Sequence, residues 1–258
     1  MSQFTQAIVR LPGSNYADGL TRVDLGVPSM ARVMAQHERY CSVLRDCGLE
    51  LTVLQADPRY PDGTFVEDTA VLLPDAAMIT RPGADSRQGE VIAIDGALRT
   101  HYSSFERIEA PGTLDGGDIC EADRHVFIGL SHRTNEEGAA QLAHWLREHG
   151  YTSSTVDIRG MDSILHLKSG IAWLGDHRLL VIEELADHPA FAGIEQVVVE
   201  PDEMYAANAI RVNDHVLVAK GYPKLQAQLE ALGYDCVALD MSEYAKMDGG
   251  LSCLSLRF

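Results

Sequence analysis

The chain has 258 residues, 46% of them hydrophobic and 23% charged, with a formal net charge of −17. This is an ordinary soluble composition with ample core material. No apolar run approaches the roughly 18 residues of a membrane helix, and MSQFTQAIVR lacks the basic-then-apolar pattern of a secretory leader. The acidic balance argues against nucleic acid, whose phosphates reward basic patches, and agrees with a cationic small ligand. The five cysteines (Cys41, Cys47, Cys120, Cys236 and Cys253) are an odd, scattered set that reads as free thiols in a reducing, cytoplasmic compartment.

In chain order, QAIVRL reads as a strand. VPSMARVMAQHERYCSVLRDCG follows as a helix that starts after Pro28 and stops at Gly48, and it gives way to the strand LELTVL. FVEDTAVLL then opens a hairpin turning at Pro74-Asp75. LDGGDICEADRHVFIG opens another, turning at Ala122-Asp123-Arg124, before the helix NEEGAAQLAHWLREHG, with Ala139, Leu142, Ala143 and Leu146 on one face, and the strand TSSTVDI. LHLKSGIAWLGDHRLLVI turns at Gly175-Asp176-His177 and leads through a degraded helix, ELADHPAFAG, to IEQVVVE. YAANAIRVNDHVLVA turns at Asn213-Asp214 and precedes the helix YPKLQAQLEALG and the strand DCVALD. The segment GLSCLSLRF has one strand only, for which QAIVRL can supply the partner.

Each of the five hairpin segments carries a polar residue where it begins: Asp68, Asp118, His166, Asn208 and Cys253, at intervals of 50, 48, 42 and 45 residues. A period on this scale indicates structural units arranged about one centre. The expected fold is therefore α/β, a fivefold pseudosymmetric αβ propeller closed by its terminal strands, which would remove exposed sheet edges. A single catalytic domain would span residues 1–258, with helices outside and the polar residues converging at the centre. Carboxylates, a His and a Cys meeting there are the inventory of a thiol nucleophile with a base and anionic anchors.

Each of these residues has a plainer reading. A free Cys is more often a packed core thiol, and that reading holds for the four cysteines within ordinary helix or strand patterns; Cys253 differs because it follows Asp248-Gly249-Gly250, whose glycines allow an unusual backbone path and leave space beside the thiol. His166 alone would be a structural histidine, but it shares the repeat register with Cys253. Asp62 alone suits a solvated loop. Glu67 and Asp68 interrupt an apolar run, where unpaired carboxylates are costly to bury, so they require cationic partners. Asp115 and Asp118 flank two glycines and could form a plain turn. Arg87 and Arg133 look like surface arginines, yet as a pair their guanidinium groups could clamp a carboxylate. Metal and phosphate signatures (CxxC, HExxH, GxxxxGK[ST]) and the GxSxG elbow are absent.

The segments PDGTFVEDTAVL, ITRPGADSRQGE, ERIEAPGTLDGGDI, FIGLSHRTNEEGA, LHLKSG, YAAN and DGGLSCLSLRF, in this order from about Ala7 to Phe258, resemble the dimethylarginine dimethylaminohydrolases of the guanidine-modifying superfamily. The resemblance implies the pentein fold, a fivefold αβ propeller with the active site at its centre. It also implies Cys253 as nucleophile, His166 as general acid and base, and Asp115 orienting His166. Some relatives carry Glu at that position, so Asp115 has one methylene less with which to reach the imidazole. Substrate contacts are implied for Asp62, Glu67, Asp68, Arg87 and Arg133, with main-chain contacts from Leu20 and Met247. The implied reaction converts asymmetric dimethylarginine or monomethylarginine to citrulline and an amine through a covalent thiouronium, with no cofactor and no metal. Two other readings stand beside it: an arginine deiminase-like hydrolase of another guanidine, although deiminases usually carry a helical insertion this chain has no room for, and a non-catalytic propeller that binds a macromolecule. The expected partner is a small methylated arginine, with neither nucleic acid nor membrane; a homodimer is compatible with the sequence.

Overall fold

The computed structural model describes residues 3–258. The first strand, β1 (Gln6–Arg10), is followed by helix α1 (Met30–Asp46) and β2 (Glu50–Leu54). Next come β3 (Ala70–Leu72), β4 (Ala76–Ile79), α2 (Val91–Leu98) and β5 (Ser104–Arg107), then β6 (Ile119–Ala122), β7 (His125–Leu130), α3 (Glu136–Glu148) and β8 (Thr152–Asp157). The third unit, β9 (Ile171–Gly175), β10 (Arg178–Ile182) and β11 (Glu195–Val199), has two 3-10 turns in place of a helix. β12 (Ile210–Val212), β13 (His215–Ala219), α4 (Pro223–Ala231) and β14 (Asp235–Leu239) make the fourth, and β15 (Leu256–Arg257) is the last strand.

These strands form five three-stranded sheets of one design. A tight hairpin pairs the first strand antiparallel with the second, and a crossover, helical except in the third unit, returns the chain parallel to it. The hairpin turns fall where the sequence places them. Asp123, Asp176, His177 and Asn213 all have positive φ there, the conformation that Asn and Asp tolerate best among residues with side chains. The fifth sheet is assembled from the two ends of the chain: β1 pairs antiparallel with β15 (Ala7 opposite Arg257) and parallel with β2. Among the described residues no ladder joins one sheet to the next, so sheet edges persist, contrary to the expectation that terminal pairing would remove them. The third strands that carry those edges are partly exposed, β5 over most of its length and β2 at Glu50 and Val53.

The middle strands β1, β4, β7, β10 and β13 are almost wholly buried. Helices pack outside them. In α3 the Asn135 side chain caps the Gly138 N–H, Glu136 and Glu137 occupy the positive first turn, and Leu142, Trp145 and Leu146 are buried, each burial stabilising by roughly 1.5–3 kcal/mol. The third unit loses its helix where Pro189 interrupts it. Among the described residues, no helix is long and apolar enough to cross a membrane.

Candidate active site

Each of the five polar positions lies on or beside a 3-10 turn that immediately precedes the first strand of a sheet. Asp68 is in the turn Val66–Thr69, Asp118 in Gly116–Asp118, His166 caps Leu167–Ser169, Asn208 closes Pro201–Ala207 and Cys253 is in Ser252–Leu254. His166 is therefore on a loop and not within an alternating strand; Leu165 faces the site while Leu167 enters the core.

A pocket of about 30 Å³ gathers Cys253, His166, Asp68, Asp62, Arg87, Arg133, Leu20 and Met247, together with Asp248 and Gly249 of the segment before Cys253 and with Phe65 and Leu165, for which the sequence gives no site signal. Asp115 is behind this surface, fully buried, with Oδ2 3.0 Å from His166 Nε2 and Oδ1 accepting the Gly83 N–H at 2.9 Å. The shorter aspartate side chain thus reaches the imidazole. Nδ1 of His166 is the nitrogen left for other work. It passes close to Gly117, where an added Cβ would stand 2.8 Å from both Nδ1 and Asp68 Oδ1, so only glycine allows these groups to approach.

The charges form a chain. Arg87 is not a surface residue: it is buried, donates from Nη1 to Asp68 at 2.5 Å, grips Glu90 through Nε and Nη2, and caps the Phe65 carbonyl at 3.0 Å. One Nη1 hydrogen remains for the pocket. Asp68 also accepts the Gly117 N–H at 2.8 Å. Burial alone would raise the Asp68 pKa, but the positive charges of His166 and Arg87 hold it down at about 2. Burial likewise works against the His166 cation, yet Asp68, Asp118 and Asp115 outweigh it and push the imidazole up to about 9. Burial, reinforced by Glu67 and Asp68, pushes the Cys253 thiol up to about 12. The resting pair is accordingly a neutral thiol and an imidazolium.

Asp62 is buried rather than solvated and accepts the Leu20 N–H at 3.0 Å. Burial raises its pKa, while Arg87 and then the Leu20 N–H act in the opposite direction. Arg133 is half-buried, and its Nη1 has no protein partner among the described residues. Glu67 departs from its expected place. Its carboxylate turns away from this pocket to the Lys168 ammonium (2.6 Å) and the Ser252 hydroxyl (2.7 Å), and it lines a separate cavity of about 830 Å³. Asp118 is a support: it accepts from the hydroxyls of Ser131 and Thr134 and from the Leu167 N–H, fixing the loop that carries His166. Gly249 lines the pocket beside Cys253, and both glycines permit close packing: a Cβ on Gly249 would come within 2.4 Å of the Phe65 ring, and one on Gly250 within 2.5 Å of the Asn208 amide. The close approach brings the Gly250 N–H to 3.4 Å from Cys253 Sγ. Asp68, Asp115 and His166 present ligand atoms within 4.8 Å of one another, but those groups are already engaged by Arg87, the Gly83 and Gly117 amides and each other.

Residues 28–201 match a family profile described as N,N dimethylarginine dimethylhydrolase, eukaryotic. The N(G),N(G)-dimethylarginine dimethylaminohydrolase of Pseudomonas aeruginosa is 42% identical over 256 residues, covering 99% of this chain and 100% of that protein. The chain belongs to the dimethylarginine dimethylaminohydrolase family. The protein of the same name from Streptomyces coelicolor is 32% identical, covering 98% of this chain and 96% of that one. A solved Pseudomonas aeruginosa dimethylarginine dimethylaminohydrolase, a cysteine-to-serine mutant complexed with citrulline, superposes with a TM-score of 0.96 at 41% identity over 100% of both chains. The N-terminal domain of the cyanobacterial arginine dihydrolase ArgZ shares the fold at 18% identity, with a TM-score of 0.88, covering 99% of this chain and 97% of that domain.

Proposed function

We propose that this chain hydrolyses asymmetric dimethylarginine and monomethylarginine to citrulline and dimethylamine or methylamine, as a single catalytic domain over residues 1–258 whose five sheets form a closed ring around the site. The observation that carries the reading is one pocket lined by the Cys253 thiol, the His166 imidazole and the Asp68 carboxylate, in a chain 42% identical along its length to a named dimethylarginine dimethylaminohydrolase.

Asp68 supplies the carboxylate for the guanidinium N–H groups and fixes the plane of the cation. Arg133, with its unpartnered Nη1, and the remaining N–H of Arg87 hold the amino-acid carboxylate. Asp62 and the main chain of Leu20 and Met247 receive the α-amino end. The bound cation next to the thiol offsets the field of Glu67 and Asp68 and favours the thiolate, whose proton leaves to solvent. Sulfur attacks the guanidinium carbon to give a tetrahedral adduct. His166, through Nδ1, protonates the leaving amine, and collapse of the adduct breaks the carbon–nitrogen bond and leaves an S-linked thiouronium. The now neutral His166 removes a proton from water as it attacks the same carbon. Cleavage of the carbon–sulfur bond releases citrulline and restores the thiol. Asp115 keeps the imidazole in the tautomer and orientation that serve both transfers.

Turnover of asymmetric dimethylarginine with separate measurement of citrulline and dimethylamine tests this reading. Equimolar formation of both products is expected. Ammonia released from arginine faster than dimethylamine from the methylated substrate would replace it with a deiminase. The reading carries a cytoplasmic location and a small-molecule partner, with no cofactor.

A further inference from the structure

Behind the catalytic pocket, four residues close a ring of hydrogen bonds. The Ser252 hydroxyl donates to Glu67 Oε2 at 2.7 Å and accepts from Asn208 Nδ2 at 3.0 Å. Asn208 Oδ1 accepts the Ser252 N–H at 2.9 Å, and its Nδ2 also donates to the Lys168 carbonyl at 2.9 Å. The Lys168 ammonium returns to Glu67 Oε1 at 2.6 Å. Glu67, Asn208 and Ser252 are buried.

The placement of these residues is informative. Glu67 precedes the anchor Asp68, Ser252 precedes the nucleophile Cys253, and Lys168 stands two residues beyond His166. Asn208 is the fourth member of the repeat register and, like the supporting Asp118, takes no part in the proposed chemistry. Cys253 rides on a three-residue 3-10 turn, which has too few internal bonds to hold itself rigid. Asn208 braces that turn from both sides: it binds Ser252 through main chain and side chain, and it packs against Gly250, whose N–H points at Cys253 Sγ.

We propose that Ser252 and Asn208 are positioning residues which, through the ring with Glu67 and Lys168, set the Cys253 sulfur in register with Asp68 and His166 while touching no substrate. The assignment rests on the hydrolase reading above and deepens it. Because the substrate contacts stay in place, loss of the ring should act on the chemical step and leave binding alone.

The test uses Ser252→Ala and Asn208→Ala, with Ser252→Thr restoring a hydroxyl. In either alanine variant kcat for asymmetric dimethylarginine is expected to fall roughly 10- to 100-fold, the effect of misplacing a reacting atom by about an ångström, with KM changed less than about threefold. Ser252→Thr should recover most of the loss. The rate of Cys253 alkylation by chloroacetamidine, a small cation that needs the thiol aligned with Asp68, should fall in parallel. That second readout works even on a chain that proves inactive toward methylated arginines, so failure of the hydrolase reading and failure of the ring are separable. Unchanged kcat and alkylation in a folded variant, or a rise in KM alone, would overturn the proposal. Failure of both alanine variants to fold would assign the ring to stability instead.

Discussion

Replacing Asp115 with Asn tests the core of the proposed chemistry with the least disturbance. The two side chains have nearly the same volume, and the amide oxygen can still accept the Gly83 N–H that Asp115 now accepts at 2.9 Å. The amide nitrogen, however, presents hydrogens to His166 Nε2 where the carboxylate oxygen stood at 3.0 Å. Neutral imidazole can accept such a hydrogen; imidazolium cannot. A hydrogen bond to a charged group contributes about 1.5–3 kcal/mol, and about 1.4 kcal/mol corresponds to one pH unit, so the cation should become harder to form by about one to two pH units. His166, raised to about 9 in the parent against the effect of burial, would then titrate nearer neutrality. The alkaline limb of kcat should move down by about one to two pH units, because the form that protonates the leaving amine is lost earlier. Stability provides a second readout. A group whose pKa is raised by folding contributes stability that is fully present below its unfolded value of 6.5 and disappears as pH climbs through about 9. The parent should therefore lose melting temperature across that window, and Asp115→Asn should show a flatter profile. An alkaline limb that stays where it was in a correctly folded variant would refute the orienting role of Asp115.

Three further outcomes are expected. Cys253→Ser should abolish turnover without unfolding, and chloroacetamidine followed by peptide mass spectrometry should label Cys253 alone; preferential labelling of Cys41 or Cys120, both buried, would contradict the assignment. Asp68→Asn should raise KM at least about tenfold, because a neutral amide replaces the carboxylate that faces the cation and also loosens Arg87, and substrate titration that shows unchanged affinity would remove this anchor. Methylated arginines should exceed arginine in kcat/KM by at least roughly tenfold, since arginine would leave N–H donors unpaired against apolar lining such as Phe65 and Leu165, and parallel kinetics on both substrates decide the point.

Much of this architecture was legible in the sequence because its signals are local. Turn residues at Asp123, Asp176 and Asn213 and the glycine stops at Gly48, Gly150 and Gly233 mark the elements, and the spacing of the five polar positions announces the repeat. The first repeat carries weaker local signals. Helix α2 is eight residues long, contains Gly96 and grows directly from a 3-10 turn, while β5 is a mostly exposed Ser-Phe-Glu-Arg with no apolar alternation. At the site, the motif-borne residues Cys253, His166 and Asp68 line one pocket. What the linear order concealed was direction. Glu67 and Asp68 are adjacent, yet successive residues of a 3-10 turn point about 120° apart, so one carboxylate faces the pocket and the other faces Lys168. The burial of Arg87 was equally hidden, because its partners Asp68 and Glu90 become visible as partners only once the turn Asp85–Glu90 folds against the turn at Val66–Thr69. Asn208 was in plain register, and its role in the ring depends on contacts from three other repeats.

The pairing of β1 with β15 bears on how the molecule comes to life. It joins positions as far apart as Ala7 and Arg257, a contact that closes a very long loop. Such contacts carry the greatest closure entropy and tend to be secured late. The turn that holds Cys253 leads directly into β15, and its brace, Asn208, comes from the preceding repeat. Helices and hairpins can thus be complete while the thiol is still adrift. In a refolding experiment, far-ultraviolet signal should recover before catalytic competence, and the interval between them would time the closure of the ends.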